Sequence, residues 1–263
     1  MNVSYDFSGR TAFITGAGSG IGRATALAFG AAGADVAVSD VAEPGGLETV
    51  ELIRAAGGSA EFFQLDVADT AAVERVVGAV VDRFGRLDIA HNNAGVLPPP
   101  ARFGEIAEAD WRRVLDVNLD GVYHCVQAEL RAMVPAGRGA IVNTASAAGL
   151  FVGYQQSAYT VSKHALIGLT RQAAVDHAKD GIRVNAVCPG GVDTPFVGEV
   201  PAPVMQRLML GIPMKRLATP EEVAAGVLWL ASDGASYVNG VALPIDAGLT
   251  ILSAGTDFSD LDL

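Results

Sequence analysis

The sequence predicts an α/β fold: one doubly wound parallel sheet with helices on both faces. Three observations carry this expectation. Short apolar runs alternate with longer stretches of helical period along the whole chain. The runs are apolar throughout rather than alternating, as strands covered on both faces require. No Ser/Pro-rich linker, composition break or fixed-period repeat divides residues 1–263, so a single domain is expected.

Taken in order, the strands are expected at Thr11–Thr15, Asp35–Ser39, Ala60–Leu65, Leu87–His91, Ala140–Ala145, Arg183–Cys188 and Val241–Ile245. Helices are expected near 20–32, 47–56, 70–84, 110–133, 157–180 and 220–231. Two stretches break the alternation. Pro98, Pro99 and Pro100 stiffen the loop after the fourth strand. Residues 189–215 carry Pro189, Pro195, Pro201, Pro203 and Pro213, which excludes one long helix there. A long excursion beyond a strand's carboxyl end is either a substrate lid or a plain surface loop. The tail, residues 249–263, ends in the acidic stretch SAGTDFSDLDL, which either frays or anchors Phe258, Leu261 and Leu263 on a neighbouring subunit.

Half of the residues are hydrophobic and 18% are charged, enough apolar material for a sizeable core. No run reaches the ~18 apolar residues of a membrane span, and the first ten residues do not read as a signal peptide. A soluble cytoplasmic protein is therefore expected. Eighteen Lys and Arg against 29 Asp and Glu give a formal charge of −11, so nucleic acid and anionic membrane are not expected partners. Cys125 and Cys188 sit in apolar surroundings and read as small buried hydrophobes in a reducing compartment. No Cys/His cluster has metal-ligand spacing, so no metal is expected.

The first strand runs into Thr15-Gly16-Ala17-Gly18-Ser19-Gly20-Ile21-Gly22 and then a helix. The spacing departs from G-x-G-x-x-G, since the position of the third glycine is Ile21. The physical requirement survives: glycines make a tight turn and let the backbone approach a pyrophosphate at a helix N-terminus. Asp40 closes the second strand, where a carboxylate accepts from adenosine ribose hydroxyls and repels a 2′-phosphate. Ser19 and Val41 occupy the positions where a cation for that phosphate would stand. NAD is the expected cofactor. Asp66 and Val67 follow the third strand and either contact adenine or belong to the cap of the next helix. Asn92-Asn93-Ala94-Gly95 gives amides and a small-residue floor at the next strand end, or a simple turn.

Tyr159 and Lys163 are four apart in a helical stretch and share one helix face. Ser146 precedes Tyr159 by thirteen residues, just beyond the fifth strand. Removing an alcohol proton near neutral pH needs a Tyr well below its free pKa of ~10, and three units of lowering take about 4 kcal/mol. One ammonium at ~4 Å with an effective dielectric near 20 supplies roughly that amount. A Ser hydroxyl at the substrate oxygen would then fix the carbon for hydride transfer.

With these motifs in this order, the sequence resembles the short-chain dehydrogenase/reductase family from Thr11 to about Gly248. The TGAGSGIG turn, Asp66, NNAG at 92–95, Asn118 in DVNLDG, Ser146, YTVSK at 159–163 and NAVCPGGVDTP at 185–195 carry the resemblance. The resemblance implies a Rossmann-type fold and an oxidoreductase. It makes Tyr159 the acid/base, with Lys163 lowering its pKa and binding the nicotinamide ribose, Ser146 positioning substrate, and Asn118 holding a relay water. It assigns Pro189, Gly190 and Val192 to nicotinamide packing and Thr194 to the carboxamide or phosphates. It also implies a homotetramer, packed through helices near 110–133 and 157–180 and the last strand. One departure stands at Asp246-Ala247-Gly248, where family members often have Asp-Gly-Gly, and it bears on the local turn.

Ala148, Phe151, Tyr154 and Phe196 are expected around the substrate, so an apolar secondary alcohol or ketone is expected. A 3-oxoacyl-carrier-protein reductase is the alternative enzyme, disfavoured by Asp40 and Ser19. A non-catalytic dinucleotide sensor is the alternative outside enzymes, disfavoured by the presence of both Tyr159 and Lys163.

Overall fold

Each run of apolar residues in the sequence becomes a strand with both faces covered. In β1 (Thr11–Thr15) all five residues are buried. Phe13 packs into a core on one side of the sheet, while Ala12 and Ile14 pack into a second core on the other. That split follows from the two-residue period of a strand, and each fully buried Phe or Ile contributes ~1.5–3 kcal/mol. The computed structural model describes residues 4–197, 205–206 and 209–252.

After β1 come α1 (Gly20–Ala31), β2 (Asp35–Asp40), α2 (Glu43–Ala55), β3 (Ser59–Gln64), α3 (Thr70–Phe84) and β4 (Ile89–Asn92). The second half contains α4 (Glu108–Leu115), α5 (Gly121–Met133), β5 (Gly139–Thr144), α6 (Ser157–His177), β6 (Ile182–Pro189), α7 (Pro220–Ala231) and β7 (Ala242–Ile245). The strands form one seven-stranded sheet in the order β3-β2-β1-β4-β5-β6-β7. Every neighbouring pair is parallel. One core joins Phe13, Val77, Val126 and Leu166 beneath α3, α5 and α6; the other joins Ile14, Phe29, Ile53 and Val227 beneath α1, α2 and α7. The strand order reverses between β1 and β4, and the carboxyl edge at such a switch point opens a crevice for ligands.

Local chemistry explains the helix ends. Asp69 caps α3 by accepting from the Ala72 N–H at 3.0 Å, and Gly85 ends it with φ +77°. Asp66 is not the cap; its exposed carboxylate accepts from Ala68 N–H at 3.0 Å. α7 starts with Pro220 in its first turn and a reciprocal Thr219–Glu222 capping box.

The helix expected over 110–133 is two helices. Between α4 and α5 the backbone makes a π-helical turn at Asp116–Asp120. Asn118 is the buried residue of this turn, and its amide reaches out to the loop after β4 instead of lying on a polar helix face. Such a bulge inserts one residue into the helical ladder and re-aims the side chains around it. No helix of the described residues is long and apolar enough to cross a membrane.

Candidate active site

The glycine turn after β1 is built so tightly that side chains are excluded. Gly16 and Gly20 hold φ of +63° and +50°, a region that favours glycine. A Cβ on Gly16 would lie 2.9 Å from Ala94 Cα, and one on Gly22 would overlap the Gly16 carbonyl oxygen. A Cβ on Gly20 would sit 3.1 Å from the Thr194 methyl, so the start of the excursion after β6 abuts the turn. Ser19 is the N-cap residue of α1 but its side chain makes no cap. The open helix N-terminus and the bare glycine backbone fit a pyrophosphate. Ile21, in the first turn of α1, packs against the core below.

Asp40, at the end of β2, turns its carboxylate toward this turn. Its Oδ2 accepts from Gly18 N–H at 2.8 Å and its Oδ1 from Ala42 N–H at 2.9 Å. Arg23 on α1 reaches the same turn, donating to Gly18 O at 2.5 Å, and its charge is paired with Glu48 Oε2 at 2.5 Å. Val67 is buried, and a Cβ on Gly121 would press on it at 2.7 Å.

The NNAG segment locks the turn from beneath. Asn93 donates its side-chain N–H to the Thr15 and Gly16 carbonyls, both at 3.2 Å. The Asn93 and Ala94 main-chain N–H groups donate to Thr15 Oγ1 at 3.0 and 3.1 Å. Gly95 lies beside Asn118, whose Oδ1 accepts from Val96 N–H at 2.8 Å and whose Nδ2 donates to Val96 O at 2.9 Å. Thr15 carries as much of this geometry as the glycines do, and the sequence motif alone gave no sign of it.

Ser146, Tyr159 and Lys163 meet at the carboxyl edge, with Ser146 just past β5 and the other two on α6. Ser146 Oγ accepts from Ala148 N–H at 3.0 Å, and its hydroxyl lies on the Tyr159 side of the site, where it favours the phenolate. Lys163 is buried, donates from Nζ to the Thr144 carbonyl at 2.7 Å, and stands 5.6 Å from the centre of the Tyr159 ring. Burial pushes Lys163 down to about 8. Burial also raises Tyr159, with the Ser146 hydroxyl opposing the rise. The lowering expected from the Tyr/Lys pairing is therefore not present in the protein alone: burial of the phenolate outweighs what Ser146 supplies, and the Lys163 ammonium, 5.6 Å from the ring centre, does not reverse it. Cys188, read from sequence as a plain core residue, brings its thiol into the electrostatic surroundings of both Tyr159 and Lys163. Burial pushes that thiol up to about 11, so it is neutral there.

The segment after β6 closes the other side. Gly190 N–H donates to Ile245 O at 3.0 Å, and a Cβ there would meet Asp246 Cα at 2.9 Å. Pro189 ends β6, and buried Val192 bridges to Ala218. The Phe196 ring reaches Tyr159 at 6.4 Å between centres, inclined 49°. Ala148 is buried behind Ser146, and Phe151 is partly exposed. Tyr154 is fully exposed and lines a groove of about 460 Å³ with Phe103, Val152 and Val161. Tyr154 is thus placed away from the Ser146–Tyr159 pair, and Phe196 against it. The anchoring residues expected in the tail, Phe258, Leu261 and Leu263, lie outside the described residues.

Comparison with known proteins agrees with this geometry. A family model described as enoyl-(acyl carrier protein) reductase matches residues 16–250. The chain is 43% identical over 258 residues to the short chain dehydrogenase/reductase astE of Aspergillus oryzae, covering 94% of this chain and 97% of that one. It is 44% identical over 244 residues to cis-4-hydroxycyclohexanecarboxylate dehydrogenase of Sinomonas cyclohexanicum, covering 93% and 98%. Among solved structures, levodione reductase superposes with a TM-score of 0.91 at 37% identity, covering 94% of this chain and 100% of the other. A seven-stranded parallel sheet, a glycine turn at its switch point and a Ser-Tyr-Lys group beside it thus occur in a chain alike over nearly its full length to these enzymes. The protein belongs to the short-chain dehydrogenase/reductase family and is an oxidoreductase of the kind that uses a nicotinamide dinucleotide.

Proposed function

We propose that the protein is an NAD-dependent dehydrogenase that interconverts a secondary alcohol and a ketone on an apolar, cyclic skeleton. The observation that carries this reading is the convergence of the Ser146 and Tyr159 hydroxyls beside the buried Lys163 ammonium. Two hydroxyls presented together suit one substrate oxygen: Ser146 holds it, and Tyr159 Oη takes its proton during oxidation or returns it during reduction. The nicotinamide, when bound, supplies the hydride acceptor or donor. The Lys163 ammonium, 5.6 Å from the centre of the Tyr159 ring, is the positive charge that would favour the phenolate as the alcohol proton is taken. It remains mostly charged at neutral pH, because burial lowers it only to about 8.

Cofactor residues follow from the same placement. Gly16, Ser19, Gly20, Ile21 and Gly22 would take the pyrophosphate, Asp66 and Val67 the adenine, and Asn93, Ala94 and Gly95 the central floor. Pro189, Gly190, Val192 and Thr194 would flank the nicotinamide, with Tyr159 and Lys163 at its ribose. Asp40 selects NAD: its carboxylate faces the turn, and Arg23, the basic side chain at the start of α1, is already engaged with Glu48. Asn118 spends both ends of its amide on Val96, which leaves the main chain of the π turn as the partner for a relay water.

The ring-bearing alcohol named for the Sinomonas relative supports a cyclic substrate. The family model's description favours a second reading, reduction of an acyl group on a carrier protein. The uncharged residues near the Ser146–Tyr159 pair, Ala148 and Phe196, argue against a phosphopantetheine-bearing partner. The proposal includes one domain, a 189–215 lid, a cytoplasmic homotetramer and no nucleic-acid or membrane partner. The half-exposed Tyr123 on α5 and Val161 on α6 supply apolar surface for such an interface. Sedimentation at micromolar concentration tests the assembly, and a monomer rejects it.

The test of the chemistry is reduced-cofactor absorbance at mildly alkaline pH, with NAD or NADP, across aliphatic, cyclic, steroid and sugar alcohols. NADH formation with cyclic alcohols that disappears in Tyr159→Phe is the expected result. Preference for NADP, or equal rates with 3-oxoacyl thioesters, overturns the reading.

A further inference from the structure

We infer that His91 is a positioning residue for this site: through Thr144 it fixes both the carbonyl that holds Lys163 and the Asn93 side chain that anchors the glycine turn. The inference rests on the roles proposed above for Lys163 and the turn. His91 lies in β4, where it pairs with Val142 of β5. Thr144 is two residues beyond Val142 and so presents its side chain on the same face of the sheet as His91. The His91 Nε2 and Thr144 Oγ1 atoms are 2.8 Å apart.

The direction of each bond follows from counting protons. The Thr144 hydroxyl has one proton and donates it to Asn93 Oδ1 at 3.3 Å. His91 must then be the donor to Thr144, which assigns the proton to Nε2. Asn93 passes the constraint on by donating to the Thr15 and Gly16 carbonyls. On its main-chain side, Thr144 accepts the Lys163 ammonium at 2.7 Å. A polar line thus crosses β5, β4 and β1 under the carboxyl edge, from the lysine to the cofactor turn.

His91 is an expensive residue for a core position. It is wholly buried, and its Nδ1 has no hydrogen-bond partner. A buried polar atom without a partner costs stability that an aliphatic side chain of similar size would not. Burial drives the imidazole down to about 3, so the ring is neutral and gives no charge to the site. The bond to Thr144 is the one polar contact that His91 makes among the described residues, and it accounts for a histidine at this place.

The experiment compares the full chain with His91→Leu and Thr144→Val, which remove the bond, and with His91→Gln and Thr144→Ser, which restore it. A Gln side-chain amide places an N–H near the position of Nε2. Binding of NADH is read by fluorescence titration, turnover is read with NAD and cyclohexanol, and each variant is checked for folding by its Tm. Leu and Val are expected to weaken NADH binding by about tenfold, as loss of a buried partner predicts, and to lower kcat. The double variant His91→Leu/Thr144→Val is expected to be no worse than the poorer single one, while Gln and Ser recover most of the loss. Wild-type NADH binding and kcat in folded His91→Leu overturn the inference, as does His91→Gln that folds but behaves like Leu. If His91→Leu does not fold, the Thr144→Val and Thr144→Ser comparison decides: equal NADH binding in the two overturns the inference. The underlying reading fails separately, by full turnover in Tyr159→Phe, and the NADH titrations judge His91 in either case.

Discussion

The Glu129 carboxyl on α5 meets the Asn92 amide on β4 at 3.0 Å, with both side chains wholly buried. Asn92 donates to Oε2, while Glu129 Oε1 and Asn92 Oδ1 are left facing no other partner. A proton on the Glu129 carboxyl would supply a donor where Asn92 Oδ1 leaves an acceptor unused. Burial pushes Glu129 up to about 8, so the neutral acid is the form present at neutral pH. Asn92 also donates to Asn143, which donates to Thr170 on α6, so the pair joins α5, two strands and α6.

This pair makes stability depend on pH. Glu129 ionises near its ordinary value of 4.5 in the unfolded chain and near 8 in the folded one. Between those values the unfolded state releases the proton and the folded state keeps it, so stability falls as pH rises and levels off above about 8. Glu129→Gln keeps the acceptor for the Asn92 amide and removes the titration. The variant is expected to be more stable by ~3–5 kcal/mol at pH 8 and equal to the wild type near pH 4. Urea midpoints across that range check it, and a constant difference would disprove the assignment.

Lys163 is expected to matter for rate more than for folding. Lys163→Met fills the same space without charge and leaves the Thr144 carbonyl unpaired. A fall in kcat of at least ~100-fold is expected, since general acid–base catalysis typically contributes 10²–10⁴-fold. The Tm should drop by only a few degrees, because removal of a buried ammonium offsets the lost bond. Retained kcat in a folded variant would remove Lys163 from the proposed mechanism.

Cofactor choice should be changed at Asp40. Asp40→Ser with Val41→Arg removes the carboxylate at the Gly18 N–H and adds a cation on a side chain that is 63% exposed. The ratio of kcat/KM for NADP over NAD is expected to rise by two orders of magnitude or so, about 3 kcal/mol of discrimination. Initial rates with both cofactors decide it, and an unchanged ratio would place selection elsewhere.

The Asp246-Ala247-Gly248 turn carries strain that the family's more common sequence would relieve. Ala247 holds φ +56°, and Asp246 fixes the turn by accepting from the Gly248 and Thr250 N–H groups at 2.9 and 2.8 Å. A left-handed backbone costs a non-glycine residue roughly 1–2 kcal/mol, part of which glycine gives back as unfolded-state entropy. Ala247→Gly is expected to raise stability by about 1 kcal/mol. A lower Tm in that variant would show that the alanine methyl has a packing role.

The architecture was legible in the residue pattern because strand and helix periods are local. The apolar runs expected at Thr11–Thr15, Asp35–Ser39, Leu87–His91 and Ala140–Ala145 became β1, β2, β4 and β5 with boundaries shifted by at most two residues. The glycine turn was legible as well, since part of its constraint is local, as with Gly22 against Gly16, while the close approaches of Gly16 to Ala94 and of Gly20 to Thr194 come from the fold. The break of the 110–133 helix at Asn118 was not legible, because nothing in its neighbours marks a π turn. The cause is Val96, 22 residues away, whose main chain captures the Asn118 amide.

The same distinction divides the site. Residue types and spacing by themselves determined the doubly wound sheet, the dinucleotide turn and the Ser146, Tyr159 and Lys163 set. Only the tertiary structure decided the ionisation of that set, the bonding of His91 to Thr144 and the protonated Glu129 against Asn92. The first depends on burial, and the other two on burial and on partners 53 and 37 residues distant in the chain. Desolvation and hydrogen bonding are set by what folding brings alongside a group, and a linear pattern carries only the group itself.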